Sequence, residues 1–165
     1  MTRKFLTFAA LLALAAGCSE PPAPDKGEEE VKQAFASLQK ALEARDADKI
    51  WQLLDADSQA DAERQAKSIR DAYARADEAT RKDDVKKLGL SGKELEKLDG
   101  VGFLETLRFQ GMHDEIHDSK LDKVVMSGKD RATVHYTERD KDEEKLSFVK
   151  EKGAWKVSLP MNKGS

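Results

Sequence analysis

The chain has 165 residues, 37% of them charged and 39% hydrophobic, with a formal net charge of −3. Those proportions exclude a collagen repeat, a cysteine-stapled scaffold and a polytopic membrane protein. They leave room for one ordinary domain able to bury its own core. Aromatic residues are scarce, at 6%, so any ligand cavity is expected to be lined mainly by aliphatic side chains. No Lys/Arg cluster is free of interleaved acids, which argues against nucleic acid as a partner.

Arg3 and Lys4 precede an apolar run, Phe5 to Ala16, with a small-residue exit at Ala16 and Gly17. This order describes a secretory signal over residues 1–17. The run is shorter than the roughly 20 residues needed to span hydrocarbon. Cys18, the one cysteine of the chain, follows directly. Leu14-Ala15-Ala16-Gly17-Cys18 resembles the lipobox of bacterial lipoproteins, with alanine at position 15 where that family usually has leucine. The resemblance implies that Cys18 carries diacylglycerol and fatty acyl (palmitate-type) chains and becomes the new N-terminus. Ser19, in place of an aspartate, resembles the signal that sends such proteins to the outer membrane. The implied address is the bacterial cell envelope, lipid-anchored and facing the periplasm. Residues 18–27 hold three of the four prolines and read as a tether. Without the leader's two cations, the formal net charge falls from −3 to −5.

Val31, Ala34, Phe35, Leu38, Ala41 and Leu42 recur at helical spacing, giving an amphipathic helix over about 28–44. Asp46 is placed to cap a short helix holding Ile50, Trp51, Leu53 and Leu54. Asp55 to Ser58 reads as a turn and cap before a longer helix with Ala62, Ala66, Ile69, Tyr73 and Ala76 on one face. Residues 78–90 suggest a loose charged helix stopped by Gly89, and Ser91-Gly92-Lys93-Glu94 is a capping-box pattern. Asp99-Gly100 is expected to end the helix so begun, with Phe103, Leu104 and Leu107 forming a further apolar turn.

Beyond about Met112 the period turns from helical to alternating. Leu121, Val124, Val125 and Met126 precede the turn signal Ser127-Gly128. Three apolar alternations follow: Ala132, Val134, Tyr136; then Leu146, Phe148; then Trp155, Val157, Leu159. They predict three hairpin-linked strands in an antiparallel meander. Helices first and strands second give an α+β fold, with the helices on one face of a curved antiparallel sheet.

The run from Ala44 to Ser58 and the ending Leu146 to Val157, with its Gly153-Ala154-Trp155-Lys156-Val157 unit, resemble the nuclear-transport-factor-2-like superfamily over about residues 28–160. That resemblance implies a cone-like domain whose mouth binds a small molecule, hosts a proton-transfer site or serves only for contacts. It carries no catalytic residue to this chain.

Chemistry candidates are few. His113-Asp114-Glu115-Ile116-His117 would put two histidines on one helical face, but the zinc-protease pattern needs glutamate directly after the first histidine. The segment therefore reads as a solvated polar connector, with no metal and no cofactor expected. Asp122 and His135 fall between apolar positions and are expected to point away from the core, whereas Trp51, Tyr136 and Trp155 read as core. No catalytic residue is assigned. The expected function is an envelope-anchored lipoprotein with a non-catalytic binding or interaction domain, its partners the membrane and an envelope protein or small ligand. The alternative is a small-ligand binder or an isomerase- or dehydratase-type enzyme using the cone cavity.

Overall fold

The computed structural model describes residues 26–161. Cys18, the leader and most of the tether lie outside that range. Among the described residues the order of elements is seven helices followed by four strands: α1 (Lys26–Glu43), α2 (Ala47–Leu53), α3 (Ala56–Arg75), α4 (Glu78–Leu88), α5 (Gly92–Glu96), α6 (Gly100–Glu105), α7 (Leu107–His113), β1 (Lys120–Met126), β2 (Arg131–Thr137), β3 (Glu143–Glu151) and β4 (Ala154–Ser158). The fold is thus α+β, as the switch of hydrophobic period implies.

Caps set the helix boundaries. The Asp46 side chain accepts from Lys49 N at 3.0 Å and starts α2. Asp55 does the same for α3 through Ser58 N at 2.8 Å. Ser91 and Glu94 complete a reciprocal capping box at α5. Gly89, at φ +73°, takes the left-handed conformation that closes α4. Asp99-Gly100 departs from expectation: Asp99 accepts from Gly102 N at 2.8 Å and opens α6 instead of ending α5. Gly100 is required there by packing. A Cβ on it would stand 2.7 Å from Trp51 Cζ3 and 2.8 Å from Glu63 Oε1, so α6 approaches α2 and α3 closely. Leu107, expected in an apolar turn, is 49% exposed, because Thr106 stops α6 and caps a new helix at a different phase.

The sheet is antiparallel in the order β1-β2-β3-β4. It has one strand more than the alternation predicts. In β1 the register shifts between Leu121 and Lys123, leaving Asp122 as an extra residue. That bulge puts Leu121 and Val124 on the same face although they are three positions apart, which breaks the period of two. Lys152 (φ +50°) and Gly153 (φ +86°) make the tight turn from β3 to β4. The free edge of β4 is partly covered by the segment before α3, where Asp55 N donates to Val157 O at 2.9 Å.

Helix α1 lies on the inner sheet face, with Val31, Phe35, Leu38 and Ala41 buried. Facing them are Ala132, Val134, Tyr136, Leu146, Phe148, Trp155 and Val157. Phe35 and Tyr136 stack with ring centroids 5.6 Å apart. The space between the helices and the inner sheet face is therefore filled by their own side chains. Burial of this many aliphatic and aromatic groups, each worth about 1.5–3 kcal/mol, is what offsets the entropy of ordering the chain.

Candidate functional site

Four pieces of chain form the rim of the core on one side. Helix α7 and its connector supply Gly111 to Ile116, the end of β2 and the position after it supply Tyr136 and Glu138, the β2–β3 loop supplies Asp140 and Asp142, and the start of β3 supplies Glu144. They enclose a cleft of about 500 Å³. The connector is held in place by α1: Gln39 Nε2 donates to Ile116 O at 3.1 Å and Ser119 O at 2.8 Å. Ile116 is buried below it.

Strand parity delivers the polar groups. On β2, Ala132, Val134 and Tyr136 point inward. Glu138 is the next position of that face, and there the face runs out of the core. Tyr136 is buried, and both it and Glu138 line the cleft. Glu144 sits directly across the ladder from Tyr136. Burial, reinforced by the charges of Glu138 and Glu144, holds the tyrosine hydroxyl well above its usual range.

Six carboxyl groups line the cleft (Asp114, Glu115, Glu138, Asp140, Asp142 and Glu144) against one ammonium, Lys145. Glu115, Glu138 and Asp140 each bring one oxygen to within 4.8 Å of the others. Like charges at that spacing disfavour full ionisation. Glu138 is accordingly pushed up to about 7, first by partial burial, then by its hydrogen bond to Glu115 and the charges of Glu115, Glu144 and Asp140. The trio offers oxygen donors only, in part solvent-exposed, and we assign no metal to it.

The two histidines singled out in the sequence are separated by their environments. His113 is 5% exposed, its Nε2 lies 3.0 Å from Pro160 O, and its ring centroid is 4.7 Å from that of Phe109. This corrects the reading of a solvated connector: α7 continues through His113 and turns that residue into the core. His117 is half-exposed, and its Nδ1 is bonded to Asp114 O. Asp122 is exposed and accepts from Thr137 Oγ1 at 2.6 Å. His135 is half-buried on the outer sheet face. Tyr136 and Trp155 are core residues, and Trp51 is half-buried against Gly100.

Glu115, Glu138 and Glu144 are the functional candidates that reading the sequence missed. Continuing the β2 alternation by one more step would have found Glu138. Glu115 had no such signal, because only the three-dimensional return of the hairpin brings it near. Compared with family models, curated proteins and solved structures, the chain matches none. Among the described residues no helix is long and apolar enough to cross a membrane.

Proposed function

We propose that this chain is a lipid-anchored envelope protein whose nuclear-transport-factor-2-like domain works by binding, and that its seat is the acidic cleft. The leader and Cys18 support the anchor on the periplasmic side of the outer membrane. The binding reading is carried by one observation: the core is filled, and the concavity beside it gathers six carboxyl groups against one lysine. A concave surface of that charge attracts an ammonium or guanidinium group and excludes anions. The partner is accordingly a basic group presented by an envelope protein or a small amine.

An isomerase- or dehydratase-type activity would draw on Glu138 as a base beside the Tyr136 hydroxyl. Abstracting a proton next to a carbonyl builds negative charge on the substrate, which needs donors aimed at it. Here the neighbours of Glu138 are mostly acids, so the site opposes such a transition state. Binding fits the geometry better.

Calorimetric titration with spermine and with tetralysine at low salt tests this reading. Both should bind, and Asp140→Asn/Glu144→Gln should weaken them about tenfold or more, in line with the loss of two charge-assisted contacts. Added salt should weaken them further. No measurable heat with either probe, or affinities untouched by the double substitution, would refute the assignment of the cleft.

A further inference from the structure

Helix α1 covers the inner face of the sheet, and the outer face has no buried residue. The antiparallel register sorts the outer side chains into rows. Lys123, His135 and Lys145 are partners on three successive strands, about 5 Å from one to the next. Arg131, Val149 and Lys156 form a second row, four positions along β2 and so about 14 Å away. Between the rows lie Thr133 and Ser147, in line with Val125, which is 45% exposed.

Like charges across a ladder repel, so this arrangement costs stability that alternating signs would recover. Among the described residues, Lys123, Arg131 and Lys145 have no ion-pair partner. Lys156 Nζ donates to the Gln52 carbonyl, which leaves its charge uncancelled. The acids of this face lie at its margins. Asp122 accepts from Thr137 Oγ1 at 2.6 Å, Glu143 stands opposite Thr137, and Glu151 accepts from Ala56 N at 3.3 Å. Along the chain these cations are interleaved with acids; only the ladder brings them together.

The chain enters the described domain at the end of the sheet away from the acidic cleft. Glu30, one turn into α1, accepts from Lys150 Nζ at 2.7 Å and from Trp155 Nε1 at 3.2 Å. The start of α1 is thus tied to the β3–β4 hairpin, beside the row that holds Arg131 and Val149. From Cys18 to Lys26 is eight positions, which span at most about 29 Å. That exceeds the thickness of a helix, about 10–12 Å with its side chains. A lipid on Cys18 can therefore reach the outer side of the sheet.

We propose that the outer sheet face lies on a membrane surface of anionic phospholipid, its cations meeting the lipid phosphates, and that this contact orients the domain. Cations spread over an open face suit a plane of phosphates, not one ion. The whole chain is acidic, but exposed charges beyond about 10 Å are screened at 0.1 M salt, so the face itself decides the contact. A lipid on a tether fixes distance and leaves the domain free to turn; the face fixes which side meets the membrane. With that side down, the cleft on the inner side of β2 and β3 opens away from the lipid, towards a basic partner. The orienting role rests on the anchor reading given above; the contact with lipid does not.

Vesicle flotation tests the face without the anchor, using the chain from residue 18 onward with Cys18→Ser. At low salt it should float with phosphatidylcholine vesicles holding about 30% phosphatidylglycerol, and not with phosphatidylcholine alone. Lys123→Gln/Arg131→Gln removes two exposed cations outside the cleft and should lower the partition constant about tenfold or more. Lys82→Gln/Lys87→Gln, which removes two exposed cations from α4, should leave it within about twofold. Absence of flotation on the anionic vesicles, equal flotation on the neutral ones, or equal losses in the two double variants would overturn the proposal. So would release by about 10 mM inorganic phosphate but not by sodium chloride of equal ionic strength, which would mean a site for a free anion. Because Cys18 is replaced throughout, the result stands whether or not the chain is acylated.

Discussion

Replacing His113 and His117 separately by alanine should give two very different proteins. The sequence presents them as a matched pair, four positions apart. In the fold His113 is 5% exposed, packed at 4.7 Å on the Phe109 ring and bonded to Pro160 O at 3.0 Å. An aromatic contact of this kind is worth about 0.5–1.5 kcal/mol beyond its burial. A typical intramolecular hydrogen bond adds about 0.5–1.5 kcal/mol. Together with the space left behind, His113→Ala should cost about 2–3 kcal/mol. His117→Ala removes a half-exposed ring and should cost within about 0.5 kcal/mol. With a urea slope of about 2 kcal/mol/M, typical of small domains, the first variant loses about 1–1.5 M in midpoint and the second about a quarter of that or less. Equilibrium urea unfolding by tryptophan fluorescence measures both. Coincident midpoints for the two variants would refute the argument, since they would mean that α7 does not turn His113 into the core.

Trp155 is 7% exposed, its Nε1 donates to Glu30 Oε2 at 3.2 Å, and Lys150 Nζ lies 5.4 Å from its ring centroid. Trp155→Ala should therefore cost about 3–5 kcal/mol in the same urea experiment, a typical loss for a large buried aromatic. For the anchor, Cys18→Ser expressed in a Gram-negative host should move the protein from the detergent phase to the aqueous phase; unchanged partitioning and an intact mass without acyl chains on the wild type would count against lipidation.

Local chemistry was legible and long-range geometry was not. Asp46, Asp55 and Ser91 announce helix starts because each side chain satisfies a backbone N–H only three residues away. Gly89 announces a stop for an equally local reason, its left-handed φ. Asp99 was ambiguous because Asp-Gly suits both the end of one helix and the cap of the next, and the close approach of Gly100 to Trp51 is a tertiary fact. Strand β1 was hidden by its own bulge at Asp122. The acidic cleft was hidden differently: its carboxyl groups lie on a connector and a hairpin more than twenty positions apart, and each alone reads as solvated surface.

The position of the cleft follows from how the sheet buries its inner face. Alternation carries Ala132, Val134 and Tyr136 into the core and then delivers Glu138 to the same face where helix cover ends. Tyr136 is the residue that makes the transition workable. Its ring fills the space beside Phe35 while the residue also lines the cleft, so an apolar body and a polar tip span the boundary. Core packing and the chemistry of the rim therefore meet on β2: the residue that ends the hydrophobic face also lines the cleft that begins beyond it.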